Sequence, residues 1–174
     1  MEFEKLINER YSCRSFDSSK DVSDEIILQI LKDTNLSPSA CNGQPYYFTV
    51  CKGEKAKEIA KETTKMGMNK FSMDAPALIV VSEKPYVRSA LVGSKIKNND
   101  YRSMDIGIAT AYLTLSAANY GVSTCILGWF EEEKIKEILD IKDRVRLVIL
   151  LGYPKDDNKP LKKRKKLEEI TNIG

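Results

Sequence analysis

The sequence predicts one domain in which four core strands are surrounded by helices, and three observations support that architecture. The chain has 174 residues, of which 42% are apolar and 30% charged, and these values are typical of a single globular domain. Short segments rich in β-branched and aromatic residues alternate with longer segments of helical periodicity. No repeat or linker divides the chain, so we expect residues 1–174 to form one domain.

The first half of the chain alternates helices with two strands. Ser23 is a candidate N-cap because the apolar stripe of Ile26, Ile27, Ile30 and Leu31 follows it at helical spacing. The predicted elements are a helix from Glu2 to about Arg10, a helix opened by Ser23, an ordered loop from Ser37 to Pro45, a strand over Tyr46–Cys51, a helix from Lys55 to about Met66 and a strand over Ala77–Val81.

The second half begins with a polar, irregular segment over residues 84–102, which could hold a short helix around Arg88–Ile96. A long helix from about Ser103 to Tyr120 is almost entirely apolar or small, which predicts burial on most sides, and Gly121 is its candidate C-cap. A strand over Val122–Leu127, a short helix over Glu131–Leu139, a buried strand over Val145–Leu151 and a charged tail complete the prediction.

The composition excludes several classes of enzyme. The chain contains no histidine, which rules out Ser-His-Asp and Cys-His hydrolases and removes the commonest metal ligand. The four cysteines form no C-x-x-C pair, so no metal site is expected. If the protein is an enzyme, a bound cofactor is expected to carry the chemistry.

Targeting signals are also missing from the sequence pattern. Residues 1–5 lack the apolar region of a signal peptide, and the longest apolar runs, such as 77–81 and 147–151, are too short to span a membrane. Scattered thiols in such a chain indicate a reducing compartment, so we expect a cytoplasmic protein without a membrane partner.

Three polar segments are candidate binding sites. In the segment Arg10–Ser15, alternation of an extended chain places Arg10, Ser12 and Arg14 on one side, which suits a phosphate, although a solvated basic turn is the commoner meaning of so short a motif. The loop over 37–45 offers donors and acceptors for the edge of a heteroaromatic ring, or forms a capped turn. The segment Gly128–Phe130 follows a strand, where ligands often bind, or its aromatic rings fill the core.

Two further segments have both an ordinary and a functional interpretation. Small residues on the long apolar helix allow close packing within the chain or against a second subunit. The basic run Lys162–Lys166 is most often a solvated stretch of charge. Aromatic residues do not interleave it, so nucleic acid is not expected as a partner.

The order and spacing of these segments resemble the nitroreductase family over nearly the whole chain. That family typically carries an R-R-S-x-R-x-F segment, a P-S-x-x-N-x-Q-P loop, a D-x-G-x-A helix leading to G-x-x-T-C, and G-Y-P followed by a basic cluster and L-E-E. The matching positions are Arg10–Phe16; Pro38, Ser39, Asn42, Gln44 and Pro45; Asp105, Gly107, Ala109, Gly121, Thr124 and Cys125; and Gly152, Tyr153, Pro154, Arg164, Leu167, Glu168 and Glu169. Five motifs in the right order are much harder to meet by chance than one.

The resemblance implies an α+β fold and a cofactor. The expected structure is a three-layer sandwich whose central, mainly antiparallel sheet is flanked by helices, in an intertwined homodimer with FMN in each of two interface sites. The tail, about residues 155–174, is expected to wrap around the partner subunit. NADH or NADPH would supply a hydride to the flavin, and a small electron-poor aromatic acceptor, such as a nitroaromatic or a quinone, would receive it.

The resemblance also assigns roles to individual residues. Arg10, Ser12, Lys162 and Arg164 would hold the FMN phosphate and ribityl chain. Tyr11, also a cofactor-binding position, stands where a second basic residue is common, so the phosphate site has fewer charges.

The remaining assignments concern the flavin ring. Arg14 would face its pyrimidine edge and stabilise negative charge at N1 and O2, which makes it the one expected catalytic contributor. The backbone of Gly128 and Trp129 would lie near N5, and Leu127 would be a further cofactor-binding position. The partner subunit would contribute the loop residues Pro38, Ser39, Ala40, Asn42 and Gln44.

Other functions of the same fold remain open. The segment over 84–102 replaces what is often a longer helical excursion, so acceptor specificity does not transfer from better-known members. Trp129 would either narrow the pocket over the ring or stack beside it. A flavin-binding sensor or store with little turnover, and a different flavin chemistry such as reductive dehalogenation or flavin fragmentation, are the alternatives.

Overall fold

The computed structural model describes residues 2–156 and 158–174. Within them, six α-helices and four strands follow one another. Their bounds are α1 (Phe3–Glu9), α2 (Asp24–Thr34), β1 (Tyr46–Lys52), α3 (Gly53–Thr63), β2 (Ala77–Glu83), α4 (Arg88–Lys97), α5 (Tyr101–Asn119), β3 (Ser123–Leu127), α6 (Glu132–Leu139) and β4 (Val145–Gly152). No helix in the described part of the chain is long and apolar enough to cross a membrane.

The four strands form one antiparallel sheet in the order β1-β2-β4-β3. The two central strands are buried on both faces, which explains why the sequence of β2 is a continuous apolar run rather than an alternating one. Val80 pairs with Val148 of β4 on one side and with Thr49 of β1 on the other. The four predicted core strands are therefore confirmed.

Helices cover both faces of the sheet and create two apolar layers. On β2, Leu78 and Val80 point to the layer that contains Ile59 of α3 and Ile135 of α6. Ile79, which lies between them in sequence, points to the opposite layer, formed with α2 and α5. Together with the sheet, these helices make the three-layer α+β sandwich that the resemblance implies.

Local capping signals explain the start of α2 and the end of α5. The Ser23 hydroxyl accepts a hydrogen bond from the backbone of Ile26 at 3.4 Å, and Gly121 (φ 74°) ends α5, both as predicted. Helix α3 ends at Thr63 instead of about Met66. Met66 has φ 57°, a left-handed conformation that an α-helix cannot contain.

Helix α5 is buried on one side only. Ile106, Leu113 and Ala117 pack into the core, whereas Gly107 and Ile108 are exposed. The predicted burial on most sides is therefore wrong for the single chain. The physical reason is that the sheet and α2 contact only one face of this helix, so an apolar face stays open to its surroundings.

Candidate functional site

The segment that follows α1 runs beside the edge strand β3. The backbone N–H of Cys13 donates to the carbonyl of Thr124 at 2.9 Å, which makes a short parallel bridge. Cys13 is buried and the ring of Tyr11 packs against the same core, whereas Arg14 is exposed. The alternation predicted from the sequence is thus present, with the arginines turned away from the core.

Tyr11 and Arg14 have different surroundings. Burial raises the pKa of the Tyr11 phenol, which lies beside Ser123 and Cys13. The Arg14 guanidinium donates to the carbonyl of Ser12 at 3.3 Å, and its side chain remains accessible at the outer edge of the sheet. Arg14 is therefore available to a ligand, whereas the ring of Tyr11 is engaged with the core.

The C-terminal tail returns to the end of α1 and places Lys162 there. Its ammonium donates to the carbonyls of Ile7 and Asn8, the second at 2.8 Å. Unsatisfied carbonyls at a helix C-terminus attract a cation in this way. The pKa of Lys162 is lowered, chiefly by desolvation and then by the positive charges of Arg10 and Arg164.

Arg10, Lys162 and Arg164 therefore form a cation cluster at the end of α1. None of the ion pairs formed by the described residues neutralises any of the three; the ion pair formed beside them joins Lys159 to Glu9. Three like charges, offset only in part by Glu9 near Lys162, suit a phosphate, because guanidinium and ammonium groups together provide several charged donors. The donor set thus fits the phosphate of a nucleotide cofactor.

A groove of about 530 Å³ opens next to this cation cluster. It is lined by Ile7 and Arg10, by Ile126 and Leu147 of the sheet, and by residues of α5. The Thr110 hydroxyl oxygen, which also lines the groove, is buried without a hydrogen-bond partner among the residues that the structure describes. The groove therefore combines apolar walls with a charged end.

The loop over residues 37–45 is held in an unusual conformation. Cys41, Asn42 and Gln44 have φ values of 51°, 52° and 43°, in the left-handed region. The Ser39 hydroxyl accepts from the backbone of Gln44 at 3.0 Å, and the Gln44 amide donates to the Asn42 side chain at 3.0 Å. Pro38, Asn42 and Gln44 are exposed, so the loop offers amide groups to a neighbouring molecule.

The loop lies apart from the cavities that the arginine segment lines in the described part of the chain. The cavities lined by Arg10, Ser12 or Arg14 are built from α1, α5, the sheet and the tail, and no residue of the 37–45 loop lines them. Instead, the backbone N–H of Ala40 donates to Asp105 at the start of α5. Asp105 belongs to the D-x-G-x-A motif of the sequence, but the motif does not predict this hydrogen bond to Ala40.

The segment after β3 places one aromatic ring inside and one outside. Leu127 is buried and Phe130 packs against the same core layer, whereas Trp129 is 48% exposed. Of the two aromatic rings, therefore, only that of Phe130 fills the core. The amide of Asn69 donates to the Trp129 carbonyl at 3.2 Å. The sequence does not predict this contact, because its one local sign is the residue type: asparagine tolerates a left-handed backbone, and Asn69 has φ 44°.

The molecule is thus a three-layer α+β sandwich in which the cation cluster beside an apolar groove fits a phosphate-bearing ligand. The sequence matches the profile of the Nitroreductase family over residues 7–153, and the chain belongs to that family.

Individual relatives agree with this assignment. The chain is 32% identical over 161 residues to a candidate NADH dehydrogenase/NAD(P)H nitroreductase of Archaeoglobus fulgidus, which covers 88% of this chain and 86% of the relative. It is 27% identical to an iodotyrosine deiodinase of Hydra vulgaris, with 97% of this chain and 71% of the relative covered.

Solved structures show the same fold. A nitroreductase family protein from Clostridium novyi superimposes with a TM-score of 0.75 at 28% identity, covering 90% of this chain and 87% of that one. A candidate nitroreductase from Exiguobacterium sibiricum, solved in complex with FMN, superimposes with a TM-score of 0.82 at 20% identity, covering 100% and 98%.

Proposed function

We propose that this protein is an FMN-dependent oxidoreductase that passes a hydride from NADH or NADPH to a small electron-poor acceptor, such as a nitroaromatic or a quinone. The observation that carries the proposal is the cation cluster of Arg10, Lys162 and Arg164, none of which forms an ion pair within the described part of the chain. The FMN phosphate supplies the missing negative charge, and Ser12 adds a neutral donor beside it.

Bound FMN would supply the hydride chemistry, taking a hydride from the nicotinamide and returning it to the acceptor. The protein's part is to bind and orient. The exposed guanidinium of Arg14 stabilises negative charge on the pyrimidine edge of the ring. The Gly128–Trp129 backbone supports the ring near the hydride-bearing atom, and the half-exposed Trp129 side chain limits the access of water.

The proposal includes a homodimer, because the ring needs contacts that one chain does not bring together. The amides of Asn42 and Gln44 reach the ring from the partner subunit, and the open face of α5 forms the interface. The exposed apolar side chains of the tail support its wrapping around the partner: Leu161, Leu167, Ile170 and Ile173. The four unpaired cysteines favour a cytoplasmic location.

The visible absorption spectrum of the purified protein, with the released chromophore identified by mass, tests the proposal. We expect an oxidised-flavin spectrum and about one FMN per chain, together with rapid NAD(P)H oxidation when a nitroaromatic or a quinone is added. A protein that stays colourless after incubation with excess FMN would contradict the proposal.

A second candidate is reductive dehalogenation on the same flavin, favoured by the likeness to the iodotyrosine deiodinase of Hydra vulgaris. It predicts halide release from a halogenated aromatic substrate and slow reduction of nitro compounds. Bound FMN with neither activity would instead identify a flavin-binding sensor or store.

A further inference from the structure

Asp105 is a buried carboxylate that joins two segments of the candidate site. Its side chain lies in α5 and is 3% exposed. One oxygen accepts from the backbone N–H of Ala40 at 2.9 Å, and the other accepts from the hydroxyl of Tyr86 at 2.8 Å. None of the ion pairs among the described residues involves Asp105. A buried carboxylate is retained only where hydrogen bonds compensate for its lost hydration, so these two donors define its role.

The first donor belongs to the loop with three left-handed residues. Non-glycine residues in that conformation are uncommon and persist where the surroundings over-determine them. Within the loop, the backbone N–H of Gly43 donates to the Ala40 carbonyl at 3.0 Å, so the residue that Asp105 holds also anchors the turn. The bond from Ala40 to Asp105 fixes this turn to α5.

The second donor belongs to the segment that precedes α4. Burial and the hydrogen bond to Asp105 both raise the pKa of the Tyr86 phenol, so it remains a donor at physiological pH. The Arg102 guanidinium lies 5.3 Å from the centre of the same ring. The loop also packs closely against this segment at Gly43. A Cβ added to Gly43 would lie only 3.3 Å from the Val87 side chain.

We infer that Asp105 is a positioning residue that fixes the 37–45 loop and the segment before α4 in a single arrangement. The inference rests on the proposed function, in which that loop contacts the flavin ring and residues 84–102 shape the acceptor site. Asp105 itself touches neither cofactor nor acceptor. It acts through Ala40 on cofactor binding and through Tyr86 on acceptor binding.

Three variants separate the two hydrogen bonds that Asp105 accepts. Asp105→Ala removes both acceptors, and we expect FMN affinity of the full-length protein to fall about tenfold or more, as for loss of a hydrogen bond to a charged group. Asp105→Asn keeps an oxygen for the Ala40 N–H and offers an amide to the Tyr86 oxygen, so its FMN affinity should stay within about threefold. Tyr86→Phe removes one donor only and should raise the acceptor KM while FMN affinity stays unchanged.

Asp33 provides a matched control. Its carboxylate also takes two hydrogen bonds, from Gln29 at 3.2 Å and from Ser116 of α5 at 2.6 Å, but it lies on α2 and bonds to no residue of the loop among those the structure describes. Asp33→Ala should lower the melting temperature without changing FMN affinity or the acceptor KM. If Asp105→Ala does only the same, its role is merely structural and the inference is wrong.

Hydrogen exchange of the FMN-free protein provides a readout that does not depend on flavin chemistry. In Asp105→Ala, the amide of Ala40 and the rest of the 37–45 loop should exchange faster, while the amides of β2 stay protected; slow exchange in the loop would overturn the inference. If the variant does not fold, Tyr86→Phe decides, since an unchanged acceptor KM in that variant also overturns the inference. Absence of FMN binding by the wild type would contradict the proposed function alone.

Discussion

Lys162 donates a hydrogen bond to the backbone carbonyl of Asn8 at 2.8 Å, across a separation of 154 residues. The contact fixes the tail against the last turn of α1, where the helix dipole also favours a cation. As a result, Lys162 and Arg164 lie beside Arg10, and one cation cluster forms from the two ends of the chain. The tail therefore supplies two of the three cations of the cluster.

Removal of single charges from the cation cluster should weaken cofactor binding. Arg10→Ala and Arg164→Ala are each expected to reduce FMN affinity by about 1–3 kcal/mol, because each removes a charged donor from the phosphate. Quenching of flavin fluorescence during titration of the FMN-free protein measures this loss. Lys165→Ala, one residue from Arg164 and exposed, serves as the control and should bind as the wild type does. Unchanged affinity in both arginine variants would show that the phosphate binds elsewhere.

FMN affinity should also depend on pH through Lys162. Desolvation and the two arginines lower the pKa of its ammonium below 10.5, and a bound phosphate favours the charged form. Raising the pH through the lowered pKa removes that charge, so affinity should fall where an ordinary lysine would still be protonated. Lys162→Arg stays charged throughout, because an arginine has a pKa above about 12.

The difference between the two proteins isolates this effect, since titration of the flavin itself is common to both. Binding titrations between about pH 7 and 10 should therefore diverge, with the wild type weakening more steeply than Lys162→Arg. Parallel curves would mean that Lys162 does not contact the phosphate.

Cys41 can report whether the 37–45 loop contacts the flavin. It is the exposed cysteine, whereas Cys13, Cys51 and Cys125 are buried, and burial raises the pKa of Cys51 to about 11. A thiol reagent should therefore modify one cysteine rapidly in the folded protein. We expect saturating FMN to slow that reaction, as measured by mass spectrometry. Equal rates with and without FMN would place the loop away from the cofactor.

The sequence predicts the elements better than the contacts between them. Periodicity located the four strands, and Ser23 and Gly121 identified helix ends, because these signals act over a few residues. Met66 was wrongly placed in a helix, since its left-handed conformation depends on the turn that follows.

Non-local contacts carry no local signal, and that limits what sequence predicts about the candidate site. The resemblance named Lys162 as a phosphate ligand, but its contact with α1 required the fold. Asp105 is recognisable in the sequence as part of the D-x-G-x-A motif. Its hydrogen bonds to Ala40 and Tyr86 cannot be predicted from that motif. The open face of α5 was likewise hidden, because composition does not reveal which side of an apolar helix the sheet covers.

Gly152 should be intolerant of any side chain. A Cβ there would lie 2.7 Å from Pro76 and 2.8 Å from the fully buried ring of Phe16. We expect Gly152→Ala to lower the free energy of unfolding by about 1–3 kcal/mol, as overpacking of a dense core does. Gly93→Ala is the control, since a Cβ on this residue of α4 would make an ordinary 3.7 Å contact with the Tyr101 ring of α5. Equal urea midpoints for the two variants would contradict this account.

The homodimer and the cofactor site should be lost together. Ile108 lies on the open face of α5 and is 38% exposed, so Ile108→Glu should cost the single chain little while burying a charge in the proposed interface. We expect sedimentation to show a monomer and FMN affinity to fall, since the partner's loop no longer reaches the ring. Leu28→Glu, a similar change at a 54% exposed position of α2, should alter neither. A monomer that retains full FMN affinity would show that one chain completes its own site, and a variant that stays dimeric would place the interface elsewhere.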